Sequence, residues 1–231
     1  MLLLGCCLAP IPSYCSISLV TLPSALAAND SVSWSQLGAD QATILNSFSA
    51  TSVNGQSITG TFATSTGQVA VVCPASPSCS WTTSGTGMSG GDSLIWTINP
   101  NANPGNDGPL TLNFPAAFGA GAWIQADETD VIGSFTAQIQ AFNGSTSLGT
   151  FTESSNANGD PIFIGVLSNT TAQVTSVIFS LTVVPADASV NDFGLDRLFL
   201  KTTAPSVPEP GSLSLVGACL GGLLWMRRYR R

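Results

Sequence analysis

The chain has 231 residues, a formal net charge of −7 and no histidine. Its thirteen carboxylates all lie between Ala28 and Glu209, where only Arg197 and Lys201 oppose them; the other four basic residues sit in the last five positions. So acidic a body repels phosphate backbones, which excludes nucleic acid as a partner, and the missing histidine excludes a Ser-His-Asp triad and leaves zinc short of ligands.

The N-terminal stretch is apolar and ends in Ala25-Leu26-Ala27, a small-x-small cleavage signal, so residues 1–27 are expected to be a signal peptide. Two features are irregular: no Lys or Arg precedes the apolar run, and Pro10, Pro12 and Pro23 interrupt it. A misassigned start codon would explain the missing basic residues.

Residues 28–203 have the length of one domain, enough for a single core that buries about 70% of the unfolded surface. All eleven Phe and four of the five Trp fall in this part. Ser, Thr, Asn and Gly dominate between short apolar stretches, which predicts strands over 32–37, 57–63, 68–72, 93–98, 110–114, 122–126, 133–142, 162–167, 173–184 and 193–200. Phe135, Ala137, Ile139 and Ala141 alternate with Thr136, Gln138 and Gln140, the period of a strand wet on one face. Residues 41–48 are the candidate for a short helix, and the Asn/Pro/Gly-rich stretch 99–108 is a loop by composition. Many short strands joined by Gly/Asn turns predict an all-β fold, an antiparallel β-sandwich.

Within this domain Cys73 and Cys79 flank a five-residue turn containing Pro74 and Pro77, which in an exported protein reads as a disulfide. Gly87-Met88-Ser89-Gly90-Gly91 matches the Gly-x-Ser-x-Gly nucleophile elbow, but it lies in a Gly/Ser/Thr-rich stretch and has no histidine to serve it. Asp127, Glu128 and Asp130 cluster after Trp123; paired carboxylates can run glycoside hydrolysis, although a solvated acidic loop is the plainer reading. Of Trp34, Trp81, Trp96 and Trp123, Trp81 stands among polar residues beside the cysteine loop and is the candidate for an exposed, glycan-stacking ring.

The C-terminus has three parts in fixed order. Residues 204–210 form a linker holding Pro208-Glu209-Pro210, residues 211–226 are free of charge, and Arg227, Arg228, Arg230 and Arg231 close the chain. Proline keeps the tripeptide extended. The apolar run is a short membrane helix, and the arginines, as the membrane stop, hold its far end on the cytoplasmic side.

This order resembles the PEP-CTERM sorting signal. The resemblance implies an exosortase-type membrane protease as partner, transient residence in the inner membrane, and export to the cell surface or extracellular matrix, commonly alongside exopolysaccharide and biofilm production. Residues 109–200 also resemble a jelly-roll module found in such proteins, through Phe118-Gly119, Ser147-Leu148-Gly149-Thr150, Phe163-Ile164-Gly165-Val166, Val177-Ile178-Phe179 and the closing run from Phe193 to Leu200. That likeness implies a jelly-roll-like β-sandwich and, more weakly, sugar binding. Sugar-binding jelly rolls often hold a structural calcium through last-strand carboxylates, here Asp192 and Asp196; a turn cap and an ion pair with Arg197 or Lys201 are the plainer roles. No other cofactor is expected. The expected function is a non-catalytic surface or matrix protein associated with polysaccharide; the alternatives are a carbohydrate-binding module and a glycan-active enzyme.

Overall fold

The computed structural model describes residues 16–63, 68–74, 81, 87–89, 91–97, 108–127, 133–185 and 190–204. In chain order its elements are β1 (Ile17–Val20), the helical turn α1 (Pro23–Leu26), β2 (Asp30–Val32), a 3-10 turn (Trp34–Leu37), β3 (Thr43–Leu45), β4 (Phe48–Thr51), β5 (Ser57–Phe62), β6 (Gln68–Pro74), β7 (Ser93–Trp96), β8 (Leu110–Ala117), β9 (Gly119–Ala126), β10 (Thr136–Asn143), β11 (Thr146–Ser154), β12 (Ile162–Ser168), β13 (Val174–Val183) and β14 (Phe193–Lys201).

The strands form two antiparallel sheets. An eight-stranded sheet runs β1-β12-β9-β14-β7-β6-β3, with β2 also on β14, and a six-stranded sheet runs β11-β10-β13-β8-β5-β4. From β8 onward the chain steps from sheet to sheet, with only the β10–β11 hairpin staying on one side. This is the winding expected of a jelly-roll-like sandwich.

Packing follows from the pleat. Ala137, Ile139 and Ala141 of β10 are fully buried while Thr136, Gln138 and Gln140 face outward, as the two-residue period predicts. Leu110 and Leu112 of β8, Val177 and Phe179 of β13, and Ile124 of β9 meet them in one core between the sheets. Each such side chain is worth roughly 1.5–3 kcal/mol of burial.

Two expectations are corrected. Residues 32–37 are not a strand: β2 ends at Val32, and Ser33 caps a 3-10 turn by accepting from the Ser35 N–H. Gln36 there replaces a strand partner, accepting from Thr51 N–H at 2.7 Å and donating to Thr51 O at 3.0 Å. Residues 41–48 are not a helix: they hold β3 and the start of β4, and the Asn46 amide pairs with both backbone groups of Phe62. β-branched Thr43 and Ile44 already favour strand over helix there.

β14 organises the eight-stranded sheet. Leu195 lies opposite Ile124 of β9 and Leu198 opposite Ala122, so Asp196 and Arg197 crowd into one position as a bulge. On the other edge, β7 pairs with Gly194 and Leu195, and β2 with Leu198–Leu200. Between those two partners the buried indole of Trp34 donates to the Asp196 carbonyl at 2.9 Å.

Strand β1 and turn α1 fall within the segment expected as leader. β1 pairs with β12 from Ile17↔Ser168 to Val20↔Gly165, making the outer strand of the eight-stranded sheet.

Candidate functional site

Pro208, Glu209, Pro210, the apolar run 211–226 and Arg227, Arg228, Arg230 and Arg231 lie outside the described residues; what the structure shows is the base from which this tail departs. Lys201 ends β14, and the two residues beyond it are pinned. The Asn29 N–H donates to Leu200 O at 3.1 Å. Its Oδ1 accepts from Thr202 N–H at 2.8 Å and Thr203 N–H at 3.3 Å, and its Nδ2 donates to Thr202 Oγ1 at 2.7 Å. Asp30 holds the same corner from inside: buried, it accepts from Ser52 Oγ at 2.6 Å, Ser31 N–H at 2.8 Å and Asn54 N–H at 3.0 Å. Sequence reading passed over both residues. A groove of about 260 Å³ opens beside them, lined by Ala28, Asn29, Asp30, Ser31, Val53 and Phe199.

Register places this exit relative to the start of β1. Ser18 pairs with Leu167, Leu167 with Gly119, and Gly119 with Lys201, one row across four strands. At about 4.8 Å per strand, the beginning of β1 and the end of β14 stand roughly 14 Å apart at the same end of the sheet.

A second cluster covers the outer face of the eight-stranded sheet. Cys73, Trp81, Met88 and Leu94 form a small core there, with Trp96 and Trp123 packed against it. Trp81 is therefore not the exposed ring expected from its polar neighbours. It is 7% accessible, its Nε1 donates to Cys73 Sγ at 3.3 Å, and its edge meets Trp96 with centroids 5.9 Å apart. Gly194 makes room beneath it, since a Cβ there would lie 3.1 Å from the indole. The cause is that Trp81 and Met88 pack onto Cys73 and Leu94 and turn what would be a solvent face into a second apolar layer. Cys79, the other half of the expected disulfide, lies outside the described residues.

The carboxylates of this face are engaged by neighbours. Asp192 Oδ1 accepts from Trp96 Nε1 at 2.9 Å. Burial first, then the charge of Asp127, raise its pKa to about 7 against the opposing Trp96 hydrogen bond. Asp196 is 2% accessible, and burial raises it to about 6, with the Arg197 N–H opposing. The Arg197 guanidinium bonds Asp92 at 2.7 Å and stands 3.9 Å from Asp196. A guanidinium at Asp196 repels a cation, and among the described residues no three Asp, Glu, Cys or His converge as a metal shell. These contacts fit an indole-bonded acid and an ion pair better than a calcium shell. Glu128 and Asp130 lie outside the described residues.

Ser89 of the Gly-x-Ser-x-Gly match sits in a surface turn, its N–H donating to Asp92 Oδ2 at 3.0 Å and its carbonyl accepting from Asp92 N–H at 3.0 Å. That geometry is a polar turn and lacks the strand-to-helix elbow that exposes a nucleophile.

Comparison with known proteins bears on the tail. Residues 206–231 match the family model of the PEP-CTERM protein-sorting motif. No curated protein matches the chain. The motif marks a surface protein exported by way of the membrane and processed by exosortase, a membrane protease.

Proposed function

We propose that this chain is a non-catalytic component of a polysaccharide-rich extracellular matrix, its sandwich serving as a structural or interaction module that the sorting tail delivers to the cell surface. The observation that carries the reading is the sorting motif at 206–231, which follows directly on a strand end clamped by Asn29. Support also comes from the engaged state of the acids: Asp192 is bonded by an indole and Asp196 faces a guanidinium, whereas glycoside hydrolysis needs two carboxyl groups flanking an open cleft. Export to an oxidising compartment fits a Cys73–Cys79 bridge closing the proline turn.

The experiment compares producing cells with and without the sorting protease. The expected extracellular form has lost residues 211–231, is retained with matrix polysaccharide only when other matrix components are present, and releases no sugar. An extracellular form that keeps Trp225 and the terminal arginines overturns the sorting route. Direct retention of the purified protein on a single glycan replaces the structural reading with a carbohydrate-binding one.

A further inference from the structure

We infer that residues 16–27 stay in the exported protein, that any leader cleavage falls before Ser16, and that Ala25-Leu26-Ala27 is a structural turn. This goes beyond the function proposed above and rests only on the protein being exported.

The first ground is pairing. β1 takes a four-residue register on β12, and Asn169 N–H reaches Ser16 O at 3.4 Å, so the ladder runs to the beginning of the described chain. Removing it leaves the whole outer edge of β12 with unpaired peptide groups, the kind of exposed edge that recruits other chains.

Packing gives the second ground. Leu26, the second residue before the expected cut, is fully buried with Val20 and Phe163 in a cluster of their own. A Cβ on Gly119 would first meet the Val166 carbonyl of β12 and then Leu26 Cδ1 at 2.9 Å, so the glycine that lets β9 and β12 approach also leaves the space this leucine fills. Ile17 and Leu19 pack against the main core, over the flank where the two sheets' outer strands, β1 and β11, come together. A leader discarded before folding has no need of a matching register or a fully buried leucine.

Local conformation is the third. Pro23 starts the helical turn, the Ala27 N–H closes it on Pro23 O at 3.2 Å, and Ala27 takes the left-handed conformation (φ 48°). The cut bond would thus lie at the end of a closed turn, followed at once by the Asn29 clamp. Pro23, irregular within a leader, suits the first position of the turn that follows this edge strand.

The test is the intact mass of the processed extracellular protein from producing cells, with the wild-type chain and Leu26→Ala. The chain has no Lys or Arg before Arg197, so the mass reads its N-terminus on a single large fragment after trypsin. The expected product contains residues 16–27, and Leu26→Ala lowers its Tm by roughly 5–15 °C. A product beginning at Ala28 overturns the inference. So does a Leu26→Ala product whose mass and Tm equal the wild type's, because a residue removed with the leader leaves no trace in the mature protein. Neither outcome depends on the C-terminal cut, which the mass of the remaining fragment reports separately.

Discussion

Asn29 grips Thr202 on two sides, its Oδ1 accepting from the Thr202 N–H and its Nδ2 donating to Thr202 Oγ1. One side chain thereby joins the segment after turn α1 to the point where the chain leaves the sandwich for its sorting tail, 173 residues later. Pulling on the tail therefore loads the centre of the eight-stranded sheet, because β14 lies between β9 and β7.

Asn29→Ala removes the acceptor and the donor together. The expected cost is about 0.5–1.5 kcal/mol, because the freed groups are exposed and water replaces the lost partner. Hydrogen exchange at Thr202 and Thr203 should quicken well before that of β14 does. Asn29→Asp keeps the acceptor and should recover protection of the two N–H groups but not the full stability. Equal exchange in wild type and Asn29→Ala would show that the clamp holds nothing.

Asp192 makes stability depend on pH in the direction opposite to an ordinary ion-paired carboxylate. Burial raises its pKa to about 7 in the folded protein, against 3.8 for an ordinary Asp carboxyl. Between those values the folded state holds the proton that the unfolded chain has released. Its contribution is complete below about pH 4 and declines as pH rises through about 7. Asp196, raised to about 6, adds a decline over the lower part of the same window. Asp192→Asn keeps an acceptor for the Trp96 indole and removes the charge. Urea unfolding from pH 4 to pH 8 should show wild-type stability falling and the variant's falling less, with a gain at pH 8 on the order of 1–3 kcal/mol. Asp127→Asn should shift the midpoint of the decline downward, because the charge of Asp127 helps raise Asp192. A variant as steep as the wild type would remove Asp192 as the cause.

What the sequence disclosed depends on how each residue does its work. The alternation from Phe135 to Ala141 was legible because the pleat imposes a two-residue period wherever one face is wet. β11 was not: its buried face is shallow, and its Thr, Ser and Gly carry no apolar signal. Gln36, Asn46 and Asn29 were opaque for another reason. Their amides stand in for peptide groups at strand ends far away in sequence, and nothing local marks a side chain for that task. Trp81 misled because its sequence neighbours are polar while its contacts, Cys73, Trp96 and Gly194, come from elsewhere. The tail was readable because its logic is linear: proline, apolar run and arginines act in chain order.

The second apolar layer makes a prediction about the cysteines. With Cys73 fully buried against the Trp81 indole, a bridge to Cys79, two residues before Trp81, would help hold that indole in place. A non-reducing chymotryptic digest should yield Cys73 joined to Cys79. Cys79→Ser should cost about 2 kcal/mol, the loop-closure value for so short a ring. Tryptophan fluorescence should shift to the red in that variant as the Trp81 indole loosens from Cys73. A digest in which Cys73 carries alkylating reagent added before reduction would rule the bridge out.

The tail's arginines should matter through position more than through recognition. As a helix, sixteen uncharged residues would span roughly 24 Å, short of a hydrocarbon core of about 30 Å. So short a run has little margin, and the depth of Pro208-Glu209-Pro210 depends on what stops the helix from sliding. Four guanidiniums at a cytoplasmic end would supply that stop. Replacing Arg227, Arg228, Arg230 and Arg231 by serine leaves the tripeptide intact but frees the helix to ride outward, carrying the cut site away from a membrane-embedded protease. The expected result is a severalfold fall in the ratio of processed to unprocessed protein, measured by intact mass. Lengthening the apolar run by four leucines in the same variant should restore part of the loss by anchoring the helix through length instead of charge. An unchanged ratio in the serine variant would mean that the tripeptide is found without any help from the membrane stop.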